Sequence, residues 1–185
     1  MFFISGAKVI FIHDDQKYNE MLDRKAITFL TFPGVVLHEM GHYIACIISG
    51  VRVLKVKYIN REGNGYVKHD SPESFFKSLF ICTAPFLFSS LVSVALVMDF
   101  KTENRGLWSF IMLWTAFSAG AHCFPSTQDG KNLWENTKKS LKGLNILALA
   151  GLPVVLLIYA ADRLRSFGFD FIYSAALMYF TYIKF

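Results

Sequence analysis

Apolar residues in this chain fall into five long runs, with the charges gathered between them. From Ala26 to Val51 there is no Lys, Arg or Asp, and Glu39 is the sole Glu. Ser78–Met98 carries no formal charge, and Gly106–Gln128 carries only the titratable His122. Gly143–Ala161 is uncharged, and Ser166–Ile183 carries only Asp170, near its start. A bilayer core about 30 Å thick is crossed by about 20 residues of helix. Helix is required because backbone amides in lipid have no water to bond. The pattern predicts an all-α polytopic membrane protein with about five transmembrane helices.

Between the first and second runs the pattern changes period. Val51-Arg52-Val53 and Val56-Lys57-Tyr58 alternate, with a slip of phase near Leu54. The turn formers Asn60 to Gly65 follow, then Tyr66-Val67-Lys68-His69. This predicts a small β-hairpin with a bulge in its first strand. Met1–Ile12 is apolar but short, contains Lys8 and has no basic residue ahead of its apolar part. It is a poor signal peptide and reads as a strand or an interfacial segment. Asp14–Lys25 is polar and expected outside the membrane. The stretch after Phe124 reads as a polar loop, with Pro125 ending a helix and Gly130 permitting a tight turn.

Length and composition support this organisation. At 185 residues the chain is one domain, 1–185, with 54% hydrophobic but only 18% charged residues. A soluble domain carries about 25% charged residues, so this surface is too poor in charge to be wetted all round. Disorder and collagen-like repeats are excluded. The net charge of +5 suits loops beside anionic lipid better than a nucleic-acid groove, and no nucleic-acid partner is expected. Three cysteines (Cys46, Cys82, Cys123) without a C-x-x-C imply neither a disulfide framework nor a thiolate metal knuckle. Five spans would put the hairpin, the stretch after Phe124 and the C-terminus on one side, with 11 of the 19 Lys and Arg. The positive-inside rule then makes the hairpin cytoplasmic.

The candidate chemistry lies in the first run, at His38-Glu39-Met40-Gly41-His42. With 5 His and 6 Glu in the chain, H-E-x-x-H arises by chance roughly 0.004 times. A spacing of four on a helix puts His38 and His42 on one face, where two imidazoles can share a metal ion. Glu39, beside the first ligand, can take a proton from an attacking water. Three such side chains in one membrane helix need partners, and a divalent cation supplies them. A catalytic zinc site takes three protein ligands. The candidates for the third are Asp129, at the foot of the third run, and His122 within it; Cys123 fits hydrolytic zinc sites least. His13 and His69 lie in polar surroundings and read as solvated.

These residues resemble the site-2 protease family of intramembrane zinc metalloproteases. H-E-x-G-H stands in a transmembrane run that continues to Gly50-Val51-Arg52-Val53, with the hairpin straight after it. Thr83-Ala84-Pro85, early in the next run, is similar to the family's A-G-P. His122-Cys-Phe-Pro125 followed by Asp129-Gly130 resembles N-x-x-P followed by L-D-G. His122 stands for the family's Asn, Gln128 for Leu, and Lys131 for a second Gly; the spacing from Pro to Asp is one residue shorter. The resemblance covers about 26–131, and the helices of about 143–185 have no counterpart in it.

What the resemblance implies is a zinc-dependent endopeptidase that cuts a membrane-protein substrate in or near a transmembrane segment. It implies Asp129 as the third ligand beside His38 and His42, with Glu39 as general base and His122 as oxyanion stabiliser. If α-helix runs back from Val51, His42 lies about 14 Å and His38 about 20 Å below the surface, so water must enter from the hairpin side. The edge of the second hairpin strand, at Tyr66 and Val67, offers an unwound substrate a place to pair. The rival reading is a catalytically inactive metal-binding membrane protein acting as a chaperone or transport partner. A di-iron hydroxylase needs more histidine boxes than five histidines allow. A CAAX-processing protease is expected to be longer and to carry a second helical ligand motif.

Overall fold

A computed structural model describes residues 26–60, 64–102, 106–165 and 167–184. The expectations for Met1–Ile12, His13 and Asp14–Lys25 lie outside the described residues. The chain is mostly helical. Residues 26–30 are helical and lead through Thr31 into α1, Phe32–Ile48. β1 (Val53–Lys57) and β2 (Tyr66–His69) follow, then α2 (Phe75–Thr102), α3 (Leu107–Ala121) and α4 (Thr127–Lys142). A 3₁₀ turn at Ile146–Ala150 opens onto α5 (Gly151–Arg165), and α6 (Phe169–Lys184) is the last described element.

Pro33 opens α1, where a missing backbone N–H costs no helical bond. The helix stops at Gly50, whose φ of +64° is left-handed. Gly50 N–H bonds the Ile47 carbonyl and Val51 N–H the Cys46 carbonyl, the paired bonds of a Schellman motif. That motif turns the chain directly into the hairpin. β1 and β2 pair antiparallel, with Lys55 opposite Lys68 and Val53 opposite His69. The register therefore slips at Leu54, where the alternation slips in the sequence.

Each of the five apolar runs contains a helix. Among the described residues two stretches are long and apolar enough to cross a membrane, Phe75–Thr102 and Ile146–Arg165. Phe32–Ile48 and Leu107–Ala121 are shorter apolar helices. The stretch after Phe124 is not a loop but α4, and Gly130 is helical within it. Its buried positions Gly130, Leu133 and Thr137 recur at helical spacing. A methyl on Gly130 would lie 3.0 Å from Ile158, so glycine serves here for close packing rather than for a turn.

With α2 as a ruler, the other helices can be placed in height. Gly41 of α1 meets Pro85: a Cβ there would lie 2.8 Å from its Cα. Gly34 abuts the Ser118 carbonyl, which sets α1 against α3 with no room for a side chain. Just past α3, the Phe124 ring sits 5.4 Å from Phe86, near the middle of α2. α4 runs from there back toward the hairpin end, where Asn136 donates to Ser78 Oγ at 3.0 Å. α5 returns beside α4 until Arg165 donates to the Phe124 carbonyl at 3.3 Å. α6 starts beside Phe124, with Phe169 at 5.4 Å, and runs on until Lys101 donates to the Tyr182 carbonyl at 2.8 Å.

Two expectations change. The third helix, expected to run to Pro125, already ends at Ala121, and its course is continued by α4. The end of α6 lies by Lys101, at the end of α2 remote from the hairpin, not on the hairpin side. The reason is that absence of charge marks residues compatible with lipid but does not distinguish a full crossing from half of one. At 15 residues, α3 is only about 22 Å long.

The distribution of residue types is inverted relative to a water-soluble bundle. Ser89, Ser93, Ser118 and Ser174 are fully buried, whereas Leu87, Leu91, Phe110, Leu156, Leu157 and Ile172 are more than half exposed. Small residues between helices and large apolar ones outside are how helices pack in lipid. So wide an apolar surface marks a membrane protein.

Candidate metal centre

α1 brings His38, Glu39 and His42 to one buried face, with the two imidazole centroids 4.9 Å apart. Each ring is held at Nδ1 by a backbone carbonyl: His38 by that of His122 at 2.7 Å, His42 by that of Ile81 at 2.9 Å. A carbonyl only accepts, so each Nδ1 carries the proton. Each Nε2 of a neutral ring then presents a lone pair, the form in which histidine binds metal.

Both Nε2 atoms face Asp129. His42 Nε2 is 3.3 Å from Oδ1 and His38 Nε2 is 3.8 Å from Oδ2. One donor atom from each of the three residues lies within 4.8 Å of the others. No other such group of three or more occurs among the described residues. Asp129 sits at the third position of α4 and forms a capping box with Ser126. Its Oδ2 accepts from Ser126 N and from Ser126 Oγ, both at 2.7 Å, while its own N–H donates to Ser126 Oγ at 3.2 Å. The contacts that start α4 therefore also fix the carboxylate toward the imidazoles.

The donor set suits a metal ion. Two neutral imidazoles and a carboxylate, drawn from two helices, make the three-ligand pattern of a catalytic zinc site. Glu39 Oε2 is buried without a hydrogen-bond partner, a costly condition unless something absent here engages it. Gly65, just before β2, lies directly over the Glu39 side chain, and a Cβ there would overlap Glu39 Cγ.

A cavity of about 710 Å³ opens onto these groups. Tyr66 and Val67 of β2 line it, as does His122. Thr31 Oγ donates to the Ile27 carbonyl, so at the 2.7 Å contact with His122 Nε2 the imidazole is the donor. Cys123 is fully buried and stands outside the group of three. Three residues on the cavity wall escape a reading of the sequence. His69 lines it, and its position two residues after Val67 on a strand was the available signal. Arg165 and Asp170, from the junction of α5 and α6, line it as well and lie 3.7 Å apart. Nothing local in the sequence reveals that this junction returns to the centre of the molecule.

An H-E-x-x-H helix and an acid from a second helix thus meet among apolar helices. The family model described as Peptidase M50B-like matches residues 21–123, more than half of the chain, and the chain belongs to this family of site-2 type proteases. The match includes His38, Glu39 and His42 and ends before Asp129. No curated protein and no solved structure matches the chain.

Proposed function

We propose that this protein is an intramembrane zinc endopeptidase that hydrolyses a peptide bond in or near a transmembrane segment of a membrane-protein substrate. The convergence of His38 Nε2, His42 Nε2 and the Asp129 carboxylate beside the unpartnered Glu39 carries the reading. A zinc ion, when bound, supplies a Lewis acid that makes water a stronger acid and polarises the scissile carbonyl. Glu39 takes the proton from the attacking water and passes it to the leaving amide nitrogen. His122 is the donor to the oxyanion; to act, it transfers its Nε2–H bond from Thr31 to the substrate oxygen.

A substrate helix hides its amides and must unwind before it is cut. β2 pairs with β1 alone in the described sheet, and Tyr66 and Val67 line the cavity. The unwound segment adds to this strand, which delivers its carbonyl beside Glu39. The protein is multi-pass, with the hairpin on the cytoplasmic face. Burial of the site excludes bulk water, and the cavity supplies the route by which water enters.

Glu39→Gln tests the proposal against the inactive metal-binding alternative. Purified protein is assayed for zinc content and, in proteoliposomes, for cleavage of transmembrane substrates. Zinc retained with cleavage reduced by at least about 10²-fold is expected, the scale of losing general-base catalysis. Undiminished substrate processing by Glu39→Gln would support the non-catalytic alternative.

A further inference from the structure

Ile81 and Pro85 stand four residues apart in α2, the spacing of one helical hydrogen bond. In an uninterrupted helix the N–H of residue 85 would donate to the Ile81 carbonyl. Proline has no N–H, so that carbonyl is left without its helical donor. It accepts instead from His42 Nδ1 at 2.9 Å, across the interface with α1. Pro85 is buried against Gly41, the neighbour of His42, so the freed carbonyl lies beside the imidazole it holds. The other imidazole repeats the arrangement. His38 Nδ1 donates to the His122 carbonyl. Three residues on stands Pro125, again without a donor, and the N–H of Ser126, four residues on, is taken by Asp129. In both cases a helix has released a carbonyl, and a histidine of the H-E-x-x-H helix has taken it up.

We propose that Pro85 is a positioning residue, which withholds a backbone N–H and so reserves the Ile81 carbonyl for His42. The consequence rests on the zinc reading above: the carbonyl keeps His42 in the Nδ1–H tautomer, aims Nε2 at Asp129 and raises its basicity as a ligand. Pro85 touches neither substrate nor metal and acts only through this bond.

Two variants separate the missing donor from the shape of the ring. Pro85→Ala restores an N–H that competes for the Ile81 carbonyl. A backbone ester at the same position, with lactic acid in place of alanine, has the same methyl but no N–H. Zinc affinity is measured by chelator competition on purified protein in detergent, and the His42 tautomer by NMR of ¹⁵N-histidine-labelled, metal-free protein. Pro85→Ala is expected to bind zinc about 10- to 100-fold more weakly, the range for loss of an outer-shell partner, and to lose the uniform Nδ1–H tautomer. The ester is expected to restore both, and the thermal midpoint of Pro85→Ala to match or exceed that of wild type, as a proline has left a helix interior. If Pro85→Ala fails to fold, the ester decides alone: wild-type affinity and tautomer in it support the proposal, and loss of either overturns it. Wild-type affinity and tautomer in Pro85→Ala would overturn the proposal. An ester as impaired as Pro85→Ala would also overturn it, by placing the role in packing against Gly41. If wild-type protein binds no zinc, the protease reading fails, and the tautomer comparison still decides the role of Pro85.

Discussion

Asp129 does two jobs with one carboxylate: it caps α4 and it faces two imidazoles. The Ser126 contacts are therefore worth more than an ordinary helix cap. Ser126→Ala should cost about 1 kcal/mol of stability, read from chemical denaturation. It should also weaken zinc binding, because the carboxylate loses the Ser126 hydroxyl as a donor and keeps only the backbone N–H, whereas capping losses elsewhere should not. Gly65 is a second single-residue constraint. A methyl there overlaps the Glu39 side chain. Gly65→Ala should lower the rate of cleavage while leaving zinc content at one per chain, since none of the three ligands is touched. Equal loss of zinc would show instead that the hairpin supports the ligands themselves.

At the scale of elements, glycine positions set how closely helices approach and where they stop. Gly34 leaves no space between α1 and the Ser118 carbonyl, and Gly41 brings α1 onto Pro85. Gly34→Ala should destabilise the fold by about 1–3 kcal/mol, the range for overpacking a tight interface, and lower the midpoint of thermal unfolding in detergent. Gly50 has open space around it, so only its left-handed backbone matters there. Gly50→Ala should cost about 1 kcal/mol, a smaller loss than at Gly34. The hairpin and its bulge were legible because alternation and its slip at Leu54 are local. α4 was missed although Ser126-Thr-Gln-Asp129 is a capping-box sequence. Pro125 and Gly130 read as a turn, and only packing against Ile158 shows that the glycine is helical.

For the whole molecule, the course of the chain along α2 predicts which termini share a side. The end of α6 lies by Lys101 and the hairpin at the opposite end of α2. If α2 crosses the bilayer, single cysteines introduced at Lys57 and at Lys184, in a background with Cys46, Cys82 and Cys123 replaced, should be labelled by an impermeant reagent from opposite faces of sealed vesicles. Labelling of both from one face would restore five full crossings. Chelation should lower the thermal midpoint of the wild-type protein and leave that of an Asp129→Ala variant unchanged, since a metal bound only by the folded state stabilises it.

The sequence by itself determined the membrane class, the hairpin and the H-E-x-x-H constellation. Each of these rests on short-range periodicity: charge-free runs, alternation, and a spacing of four that puts two imidazoles on one helical face. Asp129 was legible as a candidate, but its place beside the imidazoles needed α4 to form and bring the carboxylate 3.3 Å from His42. Only the tertiary structure decided that, together with the carbonyls that hold each imidazole and the return of Arg165 and Asp170 to the cavity wall. These are contacts between residues 30 or more positions apart, set by the packing of whole helices, and no local pattern in the chain encodes them.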